Sequence, residues 1–426
     1  MKCCNCKKKK LKKILNFGKQ PVSSVFSKEK IYKYKKYSLD LYECSNCKLI
    51  QFSKLAPLSE MYGQTYGYRT SLSKLMVNHM RTKYLNIKEN KYIKKNSNIL
   101  DIGSNDGSFL NFFLKDNIKA NFFGIDPSAN KFVKYYNKKI NLITDYFNYK
   151  KINNNIIYKE TKKKFSLITS FAMFYDIEDP NLFCKDINKL LDKNGLWVLE
   201  LSYFPLLLKN LTYDQICHEH ITYYTLTTFK NIIAKNNLKI IDCSFNEING
   251  GSIEISCAKI KSKHKPKVKK INEILLEEKK IDNHAYERLA KRIDNTKNNI
   301  KYFLEWAGKN NVIGYGASTK GNIVLNQCNL NSKNLKFICD TNPYKHNRYT
   351  PGSNIKIISK EKMRKINPKY LFVLIWSFRK EVINQELDYI KNGGKLVFHL
   401  PMFHIIDKEN YKKYLQDDFK TFSFNY

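Results

Sequence analysis

The sequence has few acidic residues and no long apolar run. Its 426 residues carry 76 lysines and arginines against 38 aspartates and glutamates, which gives a formal net charge of +38. The longest apolar run, "YLFVLIWSF" at 370–378, is about half the length of a membrane span and is typical of a buried strand. The basic N-terminus has no apolar stretch behind it, so we expect no signal peptide and a cytoplasmic protein.

Arginine is scarce beside lysine, and the lysines are spread over the whole chain. Nucleic-acid-binding proteins concentrate basic side chains on one surface, often with arginine reading bases or phosphates. The pattern therefore favours a solvated basic surface, although its field would attract an anionic ligand such as a nucleotide diphosphate. A basic face that binds nucleic acid is the competing interpretation of this charge.

The eleven cysteines argue against a disulfide framework, because the chain shows no export signal. Two C-x2-C pairs, Cys3–Cys6 and Cys44–Cys47, supply four thiolates for one tetrahedral ion and predict a structural Zn²⁺ site. Cys4 competes with Cys3 but breaks the spacing. The segment between the pairs is poor in large apolar residues, so we expect it to need the metal in order to fold.

The middle and the end of the chain both show α/β patterns. Over about 98–242, short apolar runs alternate with helical patterns, which predicts a parallel, doubly wound sheet. A polar helix is expected over about 271–308, and a second α/β unit begins at 310–328 with "NNVIGYGASTKGNIVLNQC". The composition, 42% hydrophobic and 14% aromatic, is typical of a packed protein of two or three domains.

One glycine turn indicates a cofactor. In "NILDIGSNDGSFLNFFL" a strand leads through Gly103 and Gly107 into a helix, and Asp101 stands at the entrance of the turn. This D-x-G-x-x-x-G pattern differs from the G-x-G-x-x-G of turns that hold a pyrophosphate. An acid at the entrance suits a ligand with a positive ammonium group. Asp126 follows Gly107 by 19 residues, where a carboxylate takes both hydroxyls of a ribose.

These features resemble the class I S-adenosylmethionine (SAM) methyltransferases; the competing interpretation is a turn that binds NAD or no ligand. The resemblance implies that Gly103, Asn105 and Gly107 line the methionine end of SAM. It also implies that Asp126 holds the ribose and that Asp145, after the third strand, lies near the adenine.

The second glycine turn, "GYGASTKGN" with Lys320, is a weaker indication. We find no acid after the next strand in the frame expected for a cofactor site. A structural role and a role facing a sugar nucleotide both remain open for this turn.

The stretch "TYDQICHEHITYYTL" at 212–226 places His218, Glu219 and His220 side by side. The two histidines could chelate a metal, could serve only the structure, or could form an acid–base centre. Methylation of a carbon requires removal of a proton next to a carbonyl, and histidine titrates near neutrality. The neighbouring SAM motif favours the acid–base interpretation.

Taken in order, the motifs resemble the sugar C-methyltransferases over nearly the whole chain. They are the paired C-x2-C knuckles, the SAM turn, "YDQICHEHITYY", "NGGSIEI", "GYGASTKGN" and "CDTNPYKHNRYTPG". Such enzymes methylate a carbon of a nucleotide-linked keto-sugar, typically next to a 4-keto group. The resemblance implies a zinc-binding domain at 1–70, a SAM domain with a Rossmann-like α/β core at 71–246, and a Rossmann-like substrate-binding domain at 247–426.

The same resemblance implies roles for the histidine stretch. His220 would be the base, with His218 beside it, and Glu219 would contact the sugar or steady the histidine. Tyr66 or Tyr68 in "YGYRTS" would close over the substrate. We expect a nucleotide-sugar as the partner molecule, no membrane partner, and a monomer or homodimer. The alternative hypothesis is a nucleic-acid (RNA) methyltransferase or a zinc-dependent nucleic-acid-binding protein.

The chain departs from the family at the substrate side. Cys217 stands where the sugar enzymes have a tyrosine, and a thiol is a shorter and weaker hydrogen-bond donor. Tyr175 and Asp176 stand where a histidine is common. The acceptor molecule is therefore less well specified than the cofactor.

Overall fold

The computed structural model describes residues 2–30, 32–61, 68–93 and 95–416. Within these ranges no helix combines the length and the apolar composition that crossing a bilayer requires.

The N-terminal part consists of short strands and depends on its neighbours for burial. Strands β1, β4 and β5 pair antiparallel, while β2 and β3 form a separate ribbon. Buried Leu41, Ile50 and Phe52 belong to a hydrophobic cluster that extends into the C-terminal part, for example to Leu325. The elements here are β1 (Leu11–Leu15), β2 (Lys19–Pro21), β3 (Lys36–Ser38), β4 (Leu41–Cys44), β5 (Ile50–Phe52), α1 (Leu58–Met61) and α2 (Lys74–Glu89).

The central part is built on a seven-stranded sheet. Its elements are β6 (Ser97–Ile102), α3 (Ser108–Lys115), β7 (Ala120–Ile125), β8 (Ile140–Ile143), α4 (Tyr149–Asn153), α5 (Ile156–Thr161), β9 (Phe165–Phe171), α6 (Pro180–Leu190), β10 (Leu191–Ser202), α7 (Phe204–Asn210), β11 (Thr222–Tyr223), α8 (Leu226–Lys235), β12 (Leu238–Asn246), β13 (Ser252–Lys259), α9 (Val268–Glu278) and α10 (Ala285–Ala307). Strand β6 is buried along its whole length, as a parallel strand covered on both faces must be.

The strand order is β12-β13-β10-β9-β6-β7-β8. Only β13 runs antiparallel to its neighbours in this sheet. A parallel sheet that carries one reversed strand next to its edge is the class I methyltransferase arrangement, and it confirms the predicted fold class. The sheet extends past the predicted boundary at residue 246, because β13 at 252–259 pairs with both β10 and β12.

The C-terminal part is a second Rossmann-like unit, as predicted. Its sheet has the order β16-β15-β14-β17-β18-β19, with only β19 antiparallel. The elements are β14 (Val312–Tyr315), α11 (Thr319–Gln327), β15 (Phe337–Cys339), β16 (Lys356–Ile358), α12 (Lys360–Ile366), β17 (Tyr370–Val373), α13 (Arg379–Gln385), α14 (Leu387–Lys391), β18 (Lys395–Phe398), β19 (His404–Ile406) and α15 (Tyr411–Gln416). The single helix expected over 271–308 is wrong: α9 and α10 are separate helices, divided at 279–284.

The two-residue strand β11 joins the N-terminal and central parts. It follows the His-Glu-His stretch directly and pairs antiparallel with β5, Thr222 opposite Gln51 and Tyr223 opposite Ile50. The predicted catalytic stretch is therefore held by the sheet of the zinc-binding part.

Candidate active site

A cavity of about 690 Å³ lies where the three parts meet. Its wall includes Tyr68 and Thr70 before α2, the turn after β6, His220, and Lys320 at the start of α11. The volume lies in the range of ordinary small-molecule sites. The sequence-predicted cofactor turn, base and second glycine turn thus open onto one space.

The cavity wall is acidic although the protein is strongly basic. Lys320 is the only lysine or arginine among the described residues that line it. Nine carboxylates share the wall: Asp101, Asp126, Asp176, Glu178, Asp179, Asp186, Glu200, Asp214 and Glu219. Such a lining favours a cationic ligand such as SAM and disfavours a polyphosphate backbone.

The turn after β6 fits the methionine end of SAM. Gly103 has a φ of +75°, and a Cβ there would lie 3.1 Å from Met173 Cγ, so a side chain would crowd the cavity wall. Burial raises the pKa of Asp101 to about 7, and the Thr169 hydroxyl, which donates to its Oδ1 at 2.7 Å, opposes this rise. An ammonium group at the cavity side of Asp101 would favour the carboxylate form.

Asp126 is fixed before any ligand arrives. Its Oδ2 accepts the Asn105 N–H at 2.9 Å, and its Oδ1 accepts both the N–H and the hydroxyl of Ser128 at 2.6 Å. The carboxylate lines the cavity at the end of β7. It is therefore held where a ribose can donate two further hydrogen bonds.

Asn105 lines the cavity, but its side chain serves the neighbouring chain segment. Its Oδ1 accepts the N–H of Thr70 at 2.9 Å and the Thr70 hydroxyl at 3.2 Å, while its Nδ2 donates to the Tyr68 carbonyl at 3.2 Å. Next to it, Asp106 accepts the Ser71 N–H at 3.0 Å. The cofactor turn thereby anchors the segment that carries Tyr68.

Two predicted cofactor residues lie off the cavity wall. Gly107, with a φ of +74°, precedes the first residue of α3 and faces the Tyr136 ring. Asp145 forms an ion pair with Lys151 instead of facing the cavity. The side chains that follow it, Tyr146 and Phe147, line the cavity in its place.

The His-Glu-His stretch divides between two surroundings. His220 and Glu219 line the cavity, whereas His218 turns to the zinc-binding part, where its Nε2 lies 3.3 Å from the Tyr37 carbonyl. Burial lowers the pKa of His218 to about 4. His218 is thus a contact between parts of the protein and does not face the cavity with its neighbours.

His220 is a neutral imidazole at pH 7. Burial, with the nearby charge of Lys320, lowers its pKa to about 3. The Tyr175 ring packs on it with the centroids 4.2 Å apart. Glu219 is buried, and burial raises its pKa, while hydrogen bonds from the side chains of Ser24 and Cys217 oppose this rise.

Tyr68 lines the cavity and exposes 47% of its surface. The surrounding protein nevertheless raises its pKa to about 12, so it is a neutral phenol. Tyr66, the other tyrosine considered for closing over the substrate, lies outside the described residues.

Sequence reasoning missed a buried ionic group at the end of β10. Glu200 lines the cavity. Its carboxylate oxygens lie 3.0 Å from His79 Nε2 and 2.6 Å from Lys83 Nζ, and one of them accepts a hydrogen bond from Asn246 Nδ2 at 2.6 Å. Burial would raise the pKa of Glu200, but Lys83 and His79 lower it to about 2. The available indication was the single acid inside the apolar run "LWVLEL".

The second glycine turn also has an acid that sequence reasoning missed. Asp340 follows β15 directly, 19 residues after Gly321. Its Oδ2 accepts the Ala317 N–H at 2.8 Å. Unlike Asp126, it has a lysine beside it, since Lys345 Nζ lies 3.4 Å from the same oxygen.

The four predicted zinc ligands come together. The sulfur atoms of Cys3, Cys6, Cys44 and Cys47 all lie within 4.8 Å of one another, and the Cys3–Cys47 and Cys6–Cys44 sulfurs are 3.5 Å apart. Four thiols at this separation suit tetrahedral Zn²⁺. Cys4 stays outside the cluster, and its N–H donates to Gln51 Oε1 at 2.8 Å.

Comparison with known proteins agrees with this architecture. Three family models match consecutive stretches: a zinc-binding domain over 3–62, a methyltransferase domain over 77–242, and a C-methyltransferase C-terminal domain over 247–401. The C-methyltransferase NovU of Streptomyces niveus is 26% identical over 379 residues, which cover 88% of this chain and 89% of NovU.

Solved structures of methyltransferases show a limited likeness to part of this chain. A complex of the plantazolicin methyltransferase BpumL with S-adenosylhomocysteine (SAH) and a triazolic desmethylPZN analogue is 14% identical, covers 44% of this chain and 87% of that one, and gives a TM-score of 0.35. A BpumL–SAH complex is also 14% identical, covers 44% of this chain and 91% of that one, and gives a TM-score of 0.31. Each part of the chain thus matches its own family model, in the order zinc-binding domain, methyltransferase domain and C-methyltransferase C-terminal domain, and the chain is similar over most of its length to a C-methyltransferase.

Proposed function

We propose that the enzyme methylates the carbon next to the ketone of a nucleotide-linked keto-sugar, with His220 as the base. The observation that carries the proposal is the shared cavity: His220, the SAM turn and the C-terminal Lys320 line the same space. A carbon acceptor between His220 and the cofactor could lose a proton on one side and receive a methyl group on the other. SAM supplies that methyl group as an electrophile on a sulfonium.

The surroundings of His220 keep it available as a proton acceptor. Its low pKa keeps the imidazole neutral at pH 7, but a base of so low a pKa removes a proton only when the negative oxygen of the enolate is stabilised nearby. The backbone N–H of His220 donates to the Cys217 carbonyl at 3.0 Å, and this hydrogen bond holds the backbone of the base in place. The imidazole lines the cavity, so it can take up a proton from a substrate held there.

Glu219 and Tyr68 are the groups we assign to the sugar. Glu219 lines the cavity and its pKa is raised by burial, so the hydroxyls of a sugar in the cavity would stabilise its carboxylate form. Tyr68 presents a neutral phenol to the cavity from the segment that Asn105 anchors. We retain His220 and Glu219 as catalytic candidates and assign His218 a structural contact.

Nucleic acid is the less favourable acceptor. Nine acidic side chains and a single basic one are described in the cavity wall, so even with Glu200 paired to Lys83 the wall disfavours a phosphate backbone and favours the sulfonium and ammonium of SAM. A nucleotide-sugar carries its diphosphate at one end only, so the sugar can enter the cavity while the diphosphate stays away from these acidic side chains.

The proposal is tested with labelled SAM and nucleoside-diphosphate-linked 4-keto-6-deoxyhexoses that bear thymidine, uridine, cytidine or guanosine. We expect label in at least one sugar product, and a loss of about 100-fold or more in His220→Asn with SAH affinity unchanged. His264→Asn, at a histidine outside the cavity wall, is the matched control and should keep full activity. Transfer of label to co-purified RNA, or full turnover by His220→Asn, would refute the proposal.

A further inference from the structure

We propose that Lys320 is a second catalytic residue, which holds the negative charge on the ketone oxygen while His220 removes the neighbouring proton. The inference rests on the proposed function and assigns a role to the turn that opens the C-terminal unit. Nothing in the motif "GYGASTKGN" by itself distinguishes this role from a structural one.

Hydrogen bonds tie Lys320 to the loop that carries the base. Lys320 Nζ donates to Asn249 Oδ1 at 2.8 Å. The Asn249 carbonyl in turn accepts from Gln215 Nε2 at 2.6 Å. Gln215 lies five residues before His220 on the same loop. The ammonium and the imidazole are therefore positioned by one connected set of contacts, although they belong to different Rossmann-like units.

Charge makes Lys320 distinctive in this cavity. Among the described lining residues it is the sole lysine or arginine, in a protein that has 76 of them. Burial lowers its pKa, while the Asp214 carboxylate opposes the loss of its proton. Asp214 is itself fixed by Trp376, whose Nε1 donates to Oδ2 at 2.8 Å. An ammonium group in a largely enclosed site acts strongly on any charge that develops beside it.

Lys320 and His220 repel each other once His220 is protonated. Burial first, and Lys320 next, lower the pKa of His220. His220 would therefore be a weak base toward an isolated ketone. A negative oxygen placed against Lys320 offsets this repulsion, so protonation of His220 becomes favourable as the enolate forms. His220 then accepts the proton while Lys320 stabilises the negative oxygen.

The proposed step balances as follows. The C–H bond next to the ketone breaks, its proton goes to the imidazole of His220, and its electron pair forms the C=C bond of an enolate. The carbonyl electrons move to the oxygen, which accepts hydrogen bonds from Lys320. The enolate carbon then forms a bond to the methyl group, the S–CH₃ bond breaks to leave SAH, and the ketone is restored. His220 finally releases its proton to solvent.

A role for Lys320 in holding the diphosphate is the main competing interpretation. Asp214 and Glu219 line the same cavity and would face that dianion. A ketone oxygen carries only partial charge before the reaction, so it tolerates these carboxylates better. The competing interpretation predicts a different kinetic result.

The experiment compares wild type, Lys320→Met and Lys345→Met on the sugar nucleotide that the wild-type enzyme methylates. Lys345 is the control because it belongs to the same unit and pairs with Asp340 outside the cavity wall. Steady-state kinetics give kcat and KM. Nuclear magnetic resonance in D₂O with SAH in place of SAM follows exchange of the proton next to the ketone. Calorimetry gives the Kd of SAH.

We expect Lys320→Met to lower kcat and the exchange rate together by about 100-fold, with KM and the SAH Kd nearly unchanged. Lys345→Met should retain both rates. A raised KM with normal kcat at saturation would overturn the inference in favour of the diphosphate role. Unchanged exchange would overturn it as well. A wild type that neither exchanges nor methylates any keto-sugar nucleotide refutes the proposed function, and the inference falls with it.

Discussion

The two Rossmann-like units share one contact, a hydrogen bond between an acid and the glycine turn, but the surroundings of that acid differ. In each, a carboxylate at the end of the second strand accepts an N–H from the glycine turn of the first. Asp126 accepts from Asn105 at 2.9 Å, and Asp340 accepts from Ala317 at 2.8 Å. Each carboxylate also accepts from the N–H two residues further on. The shared contact braces the turn, whether or not a ligand binds.

The units differ in what surrounds the brace. Asp126 faces a cavity whose only described lysine or arginine is Lys320. Asp340 has Lys345 beside it, and Lys345 Nζ also donates to the Ala317 carbonyl at 2.8 Å. At Gly316, where φ is +89°, an added Cβ would lie 2.6 Å from Ile375 Cγ2. The acid of the second turn is therefore neutralised by Lys345, while the acid of the first turn lines the cavity.

An acid after a glycine turn is thus insufficient to identify a cofactor site. The first unit leaves its acid for a ligand, and the second satisfies it internally. What the second unit offers the reaction is the start of α11, where Lys320 enters the cavity of the first. The glycine turns of both Rossmann-like units therefore contribute residues to the same cavity.

The largest expected difference follows from removing the two acids. Asp126→Ala should weaken SAH binding by about 100-fold, because it deletes two charge-assisted hydrogen bonds to the ribose. Asp340→Ala should leave the SAH Kd unchanged and lower only the melting temperature. Calorimetry with SAH and thermal unfolding separate the two effects. Equal loss of SAH affinity in both variants would contradict the comparison.

Removal of the metal tests whether the zinc-binding part holds the loop that carries His220. Chelation of Zn²⁺, or Cys44→Ala, should lower kcat by about tenfold or more, because β5 of the zinc-binding part pairs with β11 beside His220. Metal content and kcat are measured on the same samples. Cys4→Ala, at a cysteine outside the cluster, should keep both. Full activity in metal-free protein would show that the loop does not depend on the cluster.

A smaller effect is expected at the segment anchored by the first turn. Asn105→Ala removes the bonds to Thr70 and Tyr68 and should raise the KM for the sugar about fivefold, with a smaller change in kcat. The equivalent change at Ser318 in the second turn, Ser318→Ala, removes only a helix cap to Gly321. Kinetics that respond equally to both changes would remove the distinction.

The smallest expected difference concerns pH and stability. Burial lowers the pKa of His220 and of His399 in the second unit to about 3, and that of His218 to about 4. Folded-state pKa values below the unfolded value of about 6.5 mean that stability is full above that pH and is lost below it. Between pH 7 and 5.5 each histidine should cost about 1 kcal/mol of unfolding free energy.

Denaturant unfolding of wild type and His399→Leu at both pH values measures this effect. The variant should lose about 1 kcal/mol of the pH-dependent difference. A pH dependence that His399→Leu leaves unchanged would show that His399 is not held neutral.

Much of this could be predicted from local sequence. The fold class, the paired cysteines and the SAM turn depend on short-range spacing, so the sequence was sufficient for them. The orientation of side chains was not: Asp145 pairs with Lys151, and His218 faces Tyr37. Contacts between distant segments, such as Lys320 with Asn249 or Glu200 with Lys83, arise only when the parts pack together.

The position of the transferred methyl group tests most directly whether the enzyme methylates carbon with His220 as the base. The enzyme is incubated with [methyl-¹³C]SAM and the keto-sugar nucleotide, and ¹³C resonance spectra locate the transferred methyl group. The account predicts a methyl bonded to the carbon next to the ketone, present with wild type and absent with His220→Asn. A methyl bonded to oxygen or nitrogen, or the same C-methyl product from His220→Asn, would contradict it.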